Sequence, residues 1–349
     1  MNKLTTINPI NDQLWLTLVE RFNGSVFHSP TWMRVLAETY GFDVCAQVLT
    51  DDSGQPVAGI PFVKILDIFG GRLVTMPFSD YCDPLVSTRE HWAVLSQSLI
   101  DQQLPISIRP LHCQQPLDDE QFRLVKQAKW HRIDIAPDVD TIWKRNDEST
   151  YRAIRKAQRD GVTVEARHDK DAMRIFFEMH LGIRKYKYKM IAQPWPFFEN
   201  IWTYWLDTRQ GAILTAMYGG QAIAATLVLK WGDTLYYKFN ASLRDQLAVR
   251  PNDLLVWELI QYAKKLGCSF LDFGLSDWDQ DGLLRFKRKY ATEEKTISFI
   301  RHTPPASTLS PNEGQLRGLM GQLTNLFTDE NVGDAISEKA GNLLYRYFV

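Results

Sequence analysis

Residues 271–290 read LDFGLSDWDQDGLLRFKRKY, a strand-like run followed by an acidic turn and then a glycine-led cationic segment. Phe270, Leu271 and Phe273 suit a buried strand, and Gly274 lets the backbone turn. Asp277, Asp279 and Asp281 then crowd the loop ahead of Phe286 and Lys287. That order predicts an anion-facing site, in which a lysine can stabilise charge developing on an oxygen. Working outwards, strands are expected over 212–218, 222–230 and 234–240, with a Gly219-Gly220 turn between the first two, then a helix over 251–266 and a strand over 269–273.

A similar order precedes it. Helices are expected over 11–22 and from Ser29-Pro30 to Gly41, strands over 44–50, 57–65 and 73–78, a helix over 88–103 and a strand over 106–109. The repeat is one of pattern, not identity. Val57-Ala58-Gly59-Ile60 and Ala222-Ile223-Ala224-Ala225 both follow a turn with small residues, as where a ligand or another backbone comes close. The chain therefore reads as α/β with mixed sheets in two related domains, 1–140 and 141–303, joined near 136–146. Helices over 150–160, 171–186 and 194–206 open the second domain, and a helical tail, 304–349, begins with a flexible joint at 304–311.

Composition bounds the partners. A chain of 349 residues with 45% hydrophobic and 12% aromatic content can bury a large core. Its net charge of -1 gives no overall attraction to nucleic acid or membrane, so an anionic partner must be met locally. The first residues lack a basic region followed by an apolar run, no stretch is long enough to span a bilayer, and the four cysteines are scattered without metal or disulfide spacing. A cytoplasmic setting is expected, with no metal and no bound cofactor.

Arg152, Arg155, Lys156 and Arg159 recur at i, i+3, i+4 and i+7, which gathers four cations on one helical stripe while Ile154 and Ala157 turn inward. The stripe holds a diphosphate or is simply a solvated face; no acidic residue lies within it. Arg184, Lys185, Lys187 and Lys189 interleave with Tyr186 and Tyr188, as suits phosphate contact beside ring stacking or a solvated helix end. Trp195, Trp202, Tyr204 and Trp205 line a groove or fill the core. Asp80 and Asp83, in MPFSDYCDP, either orient an acceptor amine and take its proton or cap local backbone donors. Gly274-Leu275-Ser276 lacks the second glycine of a hydrolase elbow, and neither dinucleotide nor P-loop glycine patterns occur.

Taken together, YRAIRKAQRDGVTV (151–164), the PNDLLVWE helix ending at Gly267, and LDFG through Phe286-Lys287 resemble the FemAB/FemX-type acyltransferases, whose domains are GNAT-like. FHSPTW (27–32) and FSDY (78–81) are also similar to the acetyltransferase-like branch from polysaccharide operons, so the resemblance runs from about residue 25 to about residue 300. It implies two tandem GNAT-like domains, an acyl donor in the second, and an amine-bearing acceptor near the cleft between them. The co-substrate is then acyl-CoA or aminoacyl-tRNA, and the acceptor a small molecule or a glycan precursor of the cell envelope or exopolysaccharide. By motif match, Phe286 and Lys287 take the place of a Phe-Lys pair whose cation faces the tetrahedral intermediate, and Asp272 and Gly274 frame it. Tyr237 and Ser276 join them and the arginine stripe on the substrate side. Arg250, Asn252 and Asp253 would bind the donor at the start of the 251–266 helix, where free backbone N–H groups attract anions. The preceding DQLAVR lacks the glycine usual in the CoA-binding turn. A catalytically idle protein recognising tRNA or an anionic glycan is the alternative.

Overall fold

Local chemistry sets the first elements. The structure, a computed structural model, describes residues 2–305 and 313–349. After β1 (Lys3–Ile7), the Asp12 carboxylate accepts the Leu14 N–H and starts α1 (Gln13–Arg21). Ser29 caps α2 (Pro30–Tyr40) through the Trp32 N–H, with Pro30 in the first turn and Gly41 ending the helix at φ 67°. β2 (Asp43–Thr50), β3 (Pro56–Asp67) and β4 (Gly70–Val74) follow as an antiparallel meander. The strand expected over 73–78 stops at Val74, because Met76 and Phe78 take positive φ, 28° and 60°. α3 (Arg89–Ile100) then leads to β5 (Ile106–Ile108), which pairs in parallel with β4.

β6 (Arg123–Asp134) carries the chain out of this unit, and α4 (Val139–Lys144), α5 (Glu148–Arg159), β7 (Thr163–Arg167), α6 (Lys170–Gly182) and α7 (Trp195–Ile201) follow. α6 does not run to Tyr186 as one helix, since Ile183–Lys187 is a π-helical turn, as is Trp202–Leu206 after α7. β8 (Gly211–Tyr218), β9 (Gln221–Trp231) and β10 (Thr234–Ser242) form a second meander; α8 (Pro251–Lys265), β11 (Phe270–Asp277) and α9 (Asp281–Arg288) complete it. β12 (Glu293–His302), α10 (Glu313–Phe327) and α11 (Asp334–Leu344) close the chain. Most of the joint expected at 304–311 lies outside the described residues.

The two units are not continuous in sequence. Met1–Lys129 forms the first with Lys295–Met320 and Arg346–Val349, and Trp130–Glu294 forms the second with Gly321–Tyr345. This differs from an expected split at 140 and 303 with a separate tail, for a physical reason. β12 pairs antiparallel with β5 through Ile300↔Ile108, and Ile300 is buried in the first core, whereas α11 belongs to the second unit. Strands neighbour one another as β1-β2-β3-β4-β5-β12 in the first unit and β6-β11-β10-β9-β8-β7 in the second. α8 and the strands around it supply the second core, with Leu254, Leu255, Leu259 and Ile260 against Leu214, Val228, Leu235 and Leu271.

α5 illustrates which force orients a helix. Ile154 and Ala157 are fully buried, and burying an isoleucine is worth ~1.5–3 kcal/mol, against ~0.2–0.5 kcal/mol for each exposed charge pair. The apolar stripe decides the face, and the cations point outwards as a result. In the first unit, Gly59 sits where an added Cβ would meet Leu18 and the Gln47 carbonyl at 2.8 and 2.9 Å. The small residue there admits the chain's own neighbours.

Candidate active site

β10 pairs with β9 as far as Ser242↔Ala224, but its parallel ladder with β11 covers only Thr234↔Phe270 to Tyr236↔Asp272. Both strands run on, to Ser242 and Asp277. Two irregularities part them. β10 has a register shift between Tyr237 and Phe239, and β11 bends at Gly274, where φ is 62° and the N–H donates to Asp272 Oδ1 at 2.6 Å. The other Asp272 oxygen accepts Trp130 Nε1 at 2.9 Å. Both carboxylate oxygens are thus used in holding the bend, and the sheet opens as a wedge between β10 and β11.

Lys287 lies at this wedge. It projects from α9, is 3% exposed, and its Nζ donates to the Gly274 and Leu275 carbonyls at 3.2 and 2.9 Å. Successive carbonyls of a regular strand point in opposite directions, so the left-handed residue is what lets both reach one ammonium. The positive charge is therefore fixed at the bend and not released into bulk solvent. Its field is felt nearby: His131 is held below the ordinary histidine range by burial first and the Lys287 charge second, with Glu294 opposing. The Ser276 hydroxyl, fully buried two residues past the bend, has no hydrogen-bond partner among the described residues.

On the facing strand, the Tyr237 ring meets Phe273 edge-on at 5.4 Å. Burial pushes its phenol up, against a hydrogen bond with Thr226. Phe286 is half-buried, 5.6 Å from the Tyr290 ring, and Tyr290 donates its hydroxyl to Asp253 Oδ1 at 2.8 Å. Asp253, expected on the donor side, is thus buried and tied to the end of α9; its neighbour Lys289 stands 3.6 Å away. Asn252 exchanges 3.4 Å contacts with Asn240 and Ser242, which tether the start of α8 to β10.

The start of α8 explains the absent glycine. Residues 244–249 form a 3-10 turn, and Arg250 takes φ 58°, ψ 42°, the left-handed conformation that glycine adopts most easily. Pro251 fills the first helical position, and among the described residues no side chain caps the helix. Arg250 therefore supplies both the turn and an exposed cation at an N-terminus whose backbone favours anions.

The α5 stripe differs from expectation in one respect. Glu148 and Asp160 flank it at i-4 and i+4, and pair with Arg152 at 3.7 Å and with Lys156. Arg155 and Arg159 are exposed without an acidic side chain in range among the described residues. Trp143, Glu148, Tyr151, Arg152 and Arg155 line a cavity of about 250 Å³. In the 184–189 cluster two cations meet the chain's own acids, Lys185 on Asp334 and Lys189 on Glu330, while Arg184 donates to the Ile191 carbonyl. Of the tryptophans, Trp205 is core and Trp195 packs edge-on against Phe177.

Asp80 and Asp83 belong to the first unit. One Asp83 oxygen accepts the N–H groups of Leu111, His112 and Cys113 at 2.8–2.9 Å, so this buried carboxylate anchors a loop. Asp80 is half-buried beside Ser79, whose carbonyl accepts from Arg109 at 2.8 Å. Sequence reasoning missed Trp130 and Tyr290, which hydrogen-bond Asp272 and Asp253, and His131, which pairs with Glu294 in the field of Lys287. Trp130 and His131 are adjacent and Tyr290 is distant from them in sequence, each among charged residues, so no periodic pattern marked them.

Comparison with known proteins bears on the second unit most directly. A family model described as "Acetyltransferase (GNAT) domain" matches residues 144–288. No curated protein matches the chain in sequence. Among solved structures the chain is similar to FemX, with a TM-score of 0.65 at 14% identity, over 92% of this chain and 100% of that one. It is also similar to L-PGS from Bacillus licheniformis, with a TM-score of 0.55 at 12% identity, covering 91% and 98%. A tandem GNAT protein from the clavulanic acid biosynthesis pathway gives 0.51 at 9% identity, covering 88% and 100%. The fold is thus α/β, of GNAT-like domains in tandem, as the resemblance implied. Among the described residues, no helix is long and apolar enough to cross a membrane.

Proposed function

We propose that the chain is an N-acyltransferase that moves an acyl or aminoacyl group from an activated donor to an amine. The observation that carries this reading is the wedge between β10 and β11, inside the segment that matches the GNAT acetyltransferase domain, with the uncapped α8 N-terminus at the end of β10. A donor with an extended arm and a phosphate group fits such a wedge, its anion at α8 and Arg250. GNAT domains use acyl-CoA, which makes a CoA thioester the first donor to try; aminoacyl-tRNA is the second.

The amine nitrogen attacks the acyl carbon, the C–N bond forms, and the carbon–sulfur or carbon–oxygen bond to the donor breaks. The nitrogen gives up a proton, and the departing thiolate or alkoxide takes one up. Negative charge collects on the carbonyl oxygen in between, and the fixed Lys287 charge stabilises it. Lys287 also holds the bend that shapes the wedge. Asp272, Gly274, Ser276, Tyr237 and Phe286 form the surrounding wall. Asp80 remains the candidate for orienting the amine, while Asp83, one oxygen of which accepts three N–H groups, is assigned to holding the 111–113 loop. The exposed Arg155 and Arg159 offer a phosphate contact, which the Arg155→Ala, Arg159→Ala variant would weaken in a salt-sensitive way. A cell-envelope or exopolysaccharide precursor bearing an amine is the acceptor class in view.

The test incubates purified protein with labelled acetyl-CoA or charged tRNA and with amino-sugar acceptors. Label in an amide product supports the proposal. Binding of donor without turnover across acceptors favours the non-catalytic alternative, which the glycine-free turn before α8 leaves as the second reading.

A further inference from the structure

The cavity between α4 and α5 has an anchored aromatic wall, all of it within the second unit. The Trp143 ring stands 4.6 Å from Trp257 of α8, inclined by 62°, and 4.8 Å from Tyr151, inclined by 54°. Trp257 is buried, so the pair rests on the core. The Trp143 carbonyl accepts the Tyr151 hydroxyl at 2.7 Å and the Asn146 side-chain amide at 3.1 Å. Asp138 and Asp147 cap the two helices through the Thr141 and Thr150 N–H groups at 2.9 and 2.7 Å. The rings are therefore fixed in advance, which lowers the ordering cost of a ligand.

Other polar groups of the same wall are left unused. Arg155 is exposed and makes no hydrogen bond, ion pair or ring contact among the described residues. Arg152 meets only Glu148, at 3.7 Å, beyond hydrogen-bond range. The Trp143 indole N–H has no acceptor among the described residues. The cavity, about 250 Å³, is close to the lower limit of small-molecule sites, ~300 Å³, and so suits one ring system with the rest of a ligand outside. Aromatic rings beside guanidinium groups take a nucleobase by stacking and its phosphate by charge-assisted hydrogen bonds. A solvated stripe accounts for exposed cations but not for two anchored rings next to them.

We propose, resting on the acyl-transfer reading, that this cavity holds the adenosine phosphate of the activated donor, with the base against Trp143 and Tyr151 and a phosphate on Arg155. Adenosine phosphate is common to CoA and to the end of a charged tRNA. The donor is favoured over the acceptor because α5 and α8 share one core, Ile154 and Ala157 with Leu254 and Leu255, and α8 begins where the donor's other anion is placed.

The experiment measures binding of labelled adenosine 3',5'-bisphosphate to the full chain by equilibrium dialysis. At low salt Arg155→Ala should weaken it about 10-fold or more, an effect that shrinks as salt is added. Lys144→Ala, which removes an exposed cation outside the cavity lining, should change it by less than about 2-fold. Ribose 5-phosphate, which lacks the base, should compete about 10-fold more weakly than AMP. CoA should displace the label. AMP competing as well as the bisphosphate identifies the end of tRNA as the source, and AMP competing more weakly identifies CoA, whose ribose carries the 3'-phosphate. UDP competing as well as AMP overturns the assignment to the donor. No nucleotide binding, ribose 5-phosphate competing as well as AMP, or equal losses in Arg155→Ala and Lys144→Ala overturn the site whatever the activity. Nucleotide binding with the expected responses but no acyl transfer to any acceptor keeps the site and sinks the acyltransferase reading.

Discussion

In the first unit, β4 and β5 pair in parallel at Leu73↔Ile106 and Val74↔Ser107, with α3 between them in sequence; in the second, β10 and β11 pair in parallel around α8. The continuations differ. Past β4 the chain stays in place: the Thr75 N–H donates to the Ser107 carbonyl at 3.0 Å, Cys82 bridges to Arg109, and Asp83 pins residues 111–113. Met76 and Phe78 accept strained backbone to make that path. α3 is then capped by the Thr88 hydroxyl. Past β10, by contrast, the strands part, no side chain among the described residues caps α8, and Arg250 bends straight into the helix. The same strand–helix–strand arrangement is filled in one unit and open in the other, so the connection decides whether a ligand has anywhere to go.

The largest expected effect comes from the open side. Lys287→Met should lower kcat by roughly 10²-fold or more, as for a lost oxyanion donor. Because two backbone carbonyls lose their partner in a buried setting, the melting temperature should fall as well, by the equivalent of ~1–3 kcal/mol. Burial of the ammonium is the reason to expect both losses together. A melting point that drops with turnover intact would make Lys287 only a peg in the fold.

On the filled side, Asp83→Asn weakens three charge-assisted bonds to neutral ones. It should cost ~1–3 kcal/mol of stability, read by denaturant titration, with turnover per folded molecule within about 2-fold of the parent. The opposite pattern, full stability with lost turnover, would return Asp83 to the chemistry and blur the contrast between the units. The smallest effect tests the helix start. Arg250→Gly relieves the left-handed backbone and removes the charge, so stability should change by less than ~1 kcal/mol. Donor affinity should fall about 3- to 10-fold at low ionic strength, with the difference shrinking as salt is added. Equal affinity at all salt concentrations would detach Arg250 from donor binding.

The elements legible in the sequence are those whose apolar periodicity is strong: α2 between Pro30 and Gly41, both meanders, and α8. β6 and β12 were not legible. RLVKQAKWHRID exposes Leu124 and Val125 and carries a cation at every third place, and EEKTISFIRH opens with three charges. Strands of that composition are stabilised by pairing and not by an alternating apolar face, and a single sequence does not encode its distant partner. The Phe286-Lys287 pair was found through its motif, yet its hold on Gly274 and Leu275 needed the bend at φ 62°. The partners of Lys185 and Lys189 were illegible for a related reason: Asp334 and Glu330 lie 149 and 141 residues away.

The division of the chain into interleaved units bears on how the protein is made. β5 receives β12 from beyond the Trp130–Glu294 stretch of the second unit, so β5 lacks this neighbour until the chain has emerged from the ribosome as far as His302. Until then Ile106 and Ile108 present an open apolar strand edge to whatever is nearby, a liability that chaperones exist to shield. A fragment ending near residue 140 would carry that exposed edge permanently and is expected to aggregate, however well its own α1 and α2 form.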